Sequence, residues 1–259
     1  MTRLVIRGAG THDVDWPGRW QAWERQSRAY LPQREGCLAT LTTTLVRLAG
    51  QRPRVLDLGA GTGMLSAAIL DAVPEARCAA VDLDPVMTEI GRRTLGDADG
   101  RLRWVDADLR DPAWVAAVDG EFDAVVSLTA FHMLGAPRQA SLYGELWHLL
   151  PAGGVLLNAD FASCDCPRLR DAIERVEADR TQAAIAAGVA RSFAGWREDL
   201  EGEPGFAGLL AERARRFGAT KTDSILSASE HVASLRQAGF AEVDTLWQDG
   251  SIRLFAALS

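Results

Sequence analysis

The segment VLDLGAGTG, residues 55–63, runs a short apolar stretch into Gly59, Gly61 and Gly63, and a helical pattern follows. Such a turn lets the backbone come close to a ligand lying at the carboxyl edge of a strand. The dinucleotide fingerprint needs a glycine one residue later, where Met64 stands, and no Gly-Lys-Ser/Thr follows as a phosphate loop requires. Acidic residues recur at the ends of the next apolar runs. Asp57 sits inside the motif, Asp82 and Asp84 end the second run, and Asp106 and Asp108 follow the third. Gathered at one edge, these carboxylates would repel a pyrophosphate and would suit a ligand carrying a sulfonium and an ammonium. Asp82 is expected to accept both hydroxyls of a ribose, whereas Asp84, directly before Pro85, reads as a helix N-cap.

The elements that must position these residues alternate. RVLDL (54–58), CAAVDL (78–83), RLRWV (101–105), FDAVVSL (122–128) and GGVLLNADF (153–161) read as strands buried on both faces. MLSAAILDAV (64–73), PVMTEIGRRTL (85–95) and RQASLYGELWHLL (138–150) carry helical spacing between them, with Pro85 and Pro137 near first-turn positions. The alternation predicts an α/β chain with a parallel sheet and helices on both faces. Residues 1–49 form an N-terminal helical segment, with Trp16, Trp20 and Trp23 on one helix face. Residues 50–161 make the cofactor-binding core, and 162–226 a helical cap insertion. Residues 227–259 complete the core with a helix and two strands joined at Asp249-Gly250.

Composition excludes other classes. The 259 residues carry a net charge of −7, against the dense basic surface that nucleic acid needs. Arg3 and Arg7 interrupt the first residues before any apolar core of signal-peptide length, and no run suffices to span a bilayer, so a cytoplasmic location is expected. Cys37, Cys78, Cys164 and Cys166 form no disulfide framework, and His12, His132, His148 and His231 are too dispersed to indicate a metal site.

VLDLGAGTG, AVDLDPVM, WVDADLRD, FDAVVSLTAFHML and LLPAGG, in that order, resemble the class I S-adenosylmethionine-dependent methyltransferases over about residues 50–160. The resemblance implies a doubly wound, seven-stranded sheet of order 3-2-1-4-5-7-6, mostly parallel with its last strand antiparallel, and S-adenosylmethionine as cofactor. It also implies that Gly59 and Gly61 hold the methionine part of the cofactor, with Asp57 supporting the loop. Asp82 then takes the ribose, Leu83 and Met87 flank the adenine, and Asp108 with the backbone of Leu109 reads its amino edge. The backbone at Leu128 and Thr129 reaches the ammonium.

The acceptor leaves fewer marks. Ser127-Leu128-Thr129-Ala130 is not the Asn/Asp-Pro-Pro-Tyr/Phe signature of the family's nucleic-acid amino-methylating members, and no cysteine for cytosine-carbon methylation stands at this edge. A small organic acceptor is therefore expected, methylated on oxygen, nitrogen or carbon, by a monomer or homodimer. His132 is the candidate general base, or a residue that only positions. Tyr30, Arg34, Phe131, Arg191 and Trp196 are expected around the acceptor. The insertion, with Phe193, Trp196, Phe206 and Phe217 to turn inward, is expected to supply the acceptor pocket and little of the cofactor site. Carboxymethyl or aminopropyl transfer, cofactor-assisted cyclisation, and a non-catalytic cofactor-binding subunit remain open as alternatives.

Overall fold

In the computed structural model, which describes residues 14–218 and 225–259, seven strands form one sheet in the order β3-β2-β1-β4-β5-β7-β6. The export-signal reading at Arg3 and Arg7, His12, and positions 219–224 of the insertion lie outside the described residues. The strands are β1 (Arg54–Leu58), β2 (Arg77–Asp82), β3 (Leu102–Asp106), β4 (Ala124–Leu128), β5 (Val155–Phe161), β6 (Glu242–Asp249) and β7 (Ile252–Leu258). The first five pair in parallel, while β7 runs antiparallel between β5 and β6. Alternating side chains feed two cores, which is why these runs are apolar at nearly every position. Val55 and Val126 join one cluster, and Leu56, Leu58 and Val125 join the other.

Helices α1 (Trp16–Ser27) and α2 (Arg34–Ala49) precede the sheet. Crossovers follow through α3 (Met64–Ala72), α4 (Pro85–Leu95) and α5 (Ala136–Leu149). Leu41 and Leu45 of α2 and Leu65 and Ile69 of α3 cover one face. Leu142, Tyr143 and Leu146 of α5 cover the other, beside Leu235 of α9 (Ala228–Ala238). A third cluster joins Ala22 of α1 and Val86, Met87 and Ile90 of α4 to α7 (Phe193–Glu201) through Trp196 and Leu200. Trp16 and Trp20 pack on this cluster, and Trp20 Nε1 donates to the Thr62 carbonyl, which ties α1 to the glycine turn.

Between β5 and α9 lie α6 (Pro167–Ala186), α7 and α8 (Ala207–Phe217). The 20-residue α6 has no buried residue. No helix among the described residues is long and apolar enough to cross a membrane.

Candidate active site

Parallel strands send their carboxyl ends to one edge, so β1, β2, β4 and β5 bring Asp57, Asp82, Leu128 and Asp160 together there. A cavity of about 520 Å³ opens at this edge, a size suited to a small-molecule ligand. After β1 the chain turns through Gly59 at φ +70° and Gly61 at φ +55°. A Cβ on Gly59 would lie 2.2 Å from the Ala130 Cβ, so only glycine lets this turn close on the loop after β4. Around Gly61 nothing lies within 4 Å of an added Cβ, so its backbone faces open space.

The acids define one end of the cavity. Asp57 Oδ2 accepts from the Ser66 N–H (3.0 Å) and hydroxyl (2.6 Å), which anchors α3 to β1. Its Oδ1 is buried without a protein partner among the described residues, and burial pushes the carboxyl up to about 7. Asp82 accepts from the Gly61 N–H at 2.6 Å and the Asp84 N–H at 2.7 Å. Burial pushes it up to about 6. Asp84 caps α4 by accepting from Val86 and Met87 N–H. Partial burial pushes Asp108 up, but Arg110, donating through Nε and Nη2, more than offsets this and holds the carboxyl below its usual range. Leu83, Met87 and Leu109 line the same end.

At the other end stands a histidine with a carboxylate behind it. Thr129 adopts φ +51°, a left-handed conformation uncommon for a branched residue, and its N–H donates to the Ala159 carbonyl at 2.7 Å. That bend sends Phe131 into the core and His132 to the cavity. His132 N–H donates to Asp160 Oδ2 (2.9 Å), and its Nδ1 meets Asp160 Oδ1 at 2.6 Å. Asp160 is fully buried. With Nδ1–H directed at the carboxylate, Nε2 keeps its lone pair for the cavity, the arrangement of an oriented general base. Phe161 meets the His132 ring edge-on at 4.9 Å. Tyr30, its hydroxyl bonded to Thr129 and pushed up to about 12 by burial, closes the wall with Trp23, Gln26 and Phe193.

Of the side chains expected around the acceptor, Tyr30 lines this cavity, and the other four lie outside its lining. Arg34 is buried in an ion pair with Glu24 (2.6 Å) and donates to the Ser27 hydroxyl, because the turn between α1 and α2 folds it back onto α1. Phe131 is fully buried against Tyr143. Arg191 is held by Asp199 at 2.6 Å and the Gly195 carbonyl. Trp196 sits behind Trp23 and Phe193, packed edge-on against Trp23 at 4.9 Å, so it supports the wall without forming it.

The insertion reaches both ends of the cavity. Phe193 of α7 lines the histidine end, but α8 covers the acidic end, where the ribose and adenine are expected. Arg213 donates to Asp84 at 2.6 Å, and Arg216 donates to Asp106 at 2.6 Å and to the Leu83 carbonyl at 3.0 Å. Arg213 and Phe217 both line the cavity, the guanidinium 5.0 Å from the ring centroid. The sequence reading missed Asp160, Gln26 and Arg213, and it named Phe217 only as apolar surface of the insertion. For Asp160 a signal existed: the one acid in the mostly apolar run GGVLLNADF, one residue before its end.

Residues 55–154 match the family model described as a methyltransferase domain. The chain is 36% identical over 85 residues to malonyl-[acyl-carrier protein] O-methyltransferase of Anoxybacillus flavithermus, covering 33% of this chain and 30% of that protein. It is 35% identical over 129 residues to demethylmenaquinone methyltransferase of Clavibacter sepedonicus, covering 50% of this chain and 49% of the other. The chain thus spans about a third to a half of the length of these curated relatives. Human N-acetylserotonin methyltransferase, solved with SAM, superposes with a TM-score of 0.55 at 15% identity, over 95% of this chain and 56% of that one. That likeness concerns the fold.

Proposed function

We propose that this chain, whose residues 55–154 match a methyltransferase-domain model and whose sheet has the order 3-2-1-4-5-7-6, is a class I S-adenosylmethionine-dependent methyltransferase that transfers the cofactor's methyl group to a hydroxyl oxygen of a small organic acceptor, with His132 as general base. The single observation that carries the oxygen chemistry is the 2.6 Å contact of His132 Nδ1 with buried Asp160 at the cavity wall. A hydroxyl is a poor nucleophile until its proton leaves, and a carboxylate-oriented imidazole removes it near neutral pH.

The donor set fits the cofactor. Asp57 Oδ1 is a buried acceptor with no protein partner among the described residues, and Asp82 retains a lone pair on each oxygen beyond its backbone bonds. Asp82 would hold the ribose hydroxyls, the turn at Gly59 and Gly61 the methionine part, and Leu83, Met87 and Leu109 the adenine. Asp108, already bonded to Arg110, would share its carboxylate with the adenine amino group. S-adenosylmethionine supplies a methyl carbon activated by a sulfonium, which leaves the protein to align the nucleophile and take its proton.

His132 Nε2 takes that proton, and Asp160 stabilises the imidazolium that forms. Tyr30, Trp23, Phe161 and Phe193 keep water from the reacting end, and α8 closes the other end through its two ion pairs.

The test is methyl transfer from tritiated S-adenosylmethionine to a panel of hydroxylated aromatics, run beside the corresponding anilines. Transfer to phenols that disappears in His132→Ala, with S-adenosylhomocysteine affinity kept, supports the reading. Equal transfer in His132→Ala, or transfer to the anilines alone, removes it.

A further inference from the structure

A second cavity, of about 490 Å³, lies between the turn after α1, helix α6 and the β6–β7 hairpin. Tyr30 and Phe161 line both this cavity and the one that holds His132, so the two spaces meet at that ring pair. The rings lie 6.1 Å apart, and His132 touches the edge of Phe161, which puts the base one ring away from the second space.

The charged groups around the second cavity are already matched, and the Gln182 amide is exposed to solvent on α6. Glu177 accepts from the Ser251 N–H (2.7 Å) and hydroxyl (2.8 Å), Arg180 donates to Asp249 (3.1 Å), and the Thr181 hydroxyl donates to the Ala29 carbonyl (2.6 Å). Apart from Gln182, what remains is carbon: Leu31, Ala178, Ile185 and Ile252. Helix α6 carries no buried residue over its 20 positions, so its inward face borders this space in place of a packed core. An apolar space whose surrounding charges are paired favours an uncharged hydrocarbon, since a polar occupant would lose its hydration without finding partners.

We infer that the second cavity holds the apolar tail of the acceptor, which is an elongated amphiphile with its hydroxyl-bearing head at His132 and a neutral hydrocarbon chain passing the Tyr30–Phe161 pair. This rests on the placement of the acceptor hydroxyl at His132 proposed above. The head-and-tail division explains why two cavities of similar size share one aromatic boundary. It also gives α6 a function, as the outer wall of the tail site.

The experiment titrates phenol, 4-butylphenol and 4-octylphenol by calorimetry into protein saturated with S-adenosylhomocysteine. Each methylene taken from water strengthens binding by up to about fourfold, so the dissociation constant should fall at least tenfold along the series. Ala178→Trp and Gln182→Trp each put an indole into the second cavity from the exposed helix α6. In both, 4-octylphenol should bind within about threefold of phenol, and retained S-adenosylhomocysteine affinity reports that the variants are folded. No gain with chain length, a gain that survives both substitutions, or no binding of any phenol overturns the inference. Because the readout is binding, it separates from the proposed chemistry. A chain-length gain lost in both variants supports the tail site even where no phenol is methylated, and that result would count against the oxygen chemistry alone.

Discussion

Asp160→Asn isolates the carboxylate from the rest of the site. Asp160 is fully buried and lies outside the cavity lining, so the change leaves the cofactor's surroundings in place. Its carboxylate takes the His132 N–H, His132 Nδ1 and the Phe161 N–H at 2.9, 2.6 and 2.8 Å. An asparagine offers one oxygen to these donors and turns an N–H₂ toward another. If that amide faces Nδ1, the ring proton moves to Nε2 and the base is lost; if the oxygen faces it, only the charge is lost. The charge is worth at most about 4 kcal/mol to the imidazolium, taking centres about 4 Å apart and an effective dielectric constant of about 20. General-base catalysis contributes about 10²- to 10⁴-fold. Both figures put the expected fall in kcat at about 10²- to 10³-fold, or roughly 3–4 kcal/mol. Steady-state rates with tritiated cofactor and a phenolic acceptor measure it, and calorimetry with S-adenosylhomocysteine, expected within about threefold of wild type, controls for the fold. A folded variant that loses less than threefold in kcat refutes the dyad. A fall in cofactor affinity equal to the fall in rate refutes the separation of the two ends.

Asp82 gives a pH prediction. Its carboxyl, raised by burial to about 6, must be ionised to accept both ribose hydroxyls, so S-adenosylhomocysteine should bind about fourfold more weakly at pH 5.5 than at pH 7.5, and Asp82→Asn should flatten that profile in calorimetry. Both Asp57 and Asp82 hold protons in the folded chain at pH values where the unfolded chain has released them. The ligand-free protein should therefore lose stability as pH rises from about 4 to about 7, read as a falling Tm. Gly59→Ala should abolish measurable S-adenosylhomocysteine binding while circular dichroism still shows a folded chain, because φ +70° and the Ala130 contact at 2.2 Å both forbid the turn. Trp196→Ala should cost about 3–5 kcal/mol of stability by denaturant unfolding, since the indole is buried behind the wall. Phe193→Ala, on the wall itself, should raise the acceptor KM and leave cofactor affinity within about threefold.

The sheet and the acidic end of the site were legible in the sequence because they depend on near neighbours. An apolar run ending in Gly59 and Gly61 specifies a strand and a left-handed turn within ten residues. Asp84 before Pro85 specifies a cap within four, and Asp57 and Asp82 reach the same edge because parallel strands all end there. The histidine end was only half legible. His132 was visible as a titratable group after the fourth strand, but its partner lies 28 residues away on the neighbouring strand. Which of Phe131 and His132 faces the cavity depends on the backbone after β4, where Thr129 takes a left-handed φ that its residue type does not announce. The four side chains that lie outside the cavity do so for a shared reason. An arginine or tryptophan in an amphipathic helix declares a charge or an apolar face, not the surface that will receive it. Arg34 found Glu24, Arg191 found Asp199, and Trp196 found Trp23. Helix α8 carries the same lesson over a longer range: Arg213 and Arg216 meet acids 129 and 110 residues earlier in the chain. Local propensity and turn chemistry therefore determined the scaffold and the sheet edge that carries the acids. The closure of the site was settled by contacts among helices whose only sequence mark is an apolar side, and that mark fits many surfaces until the chain has folded.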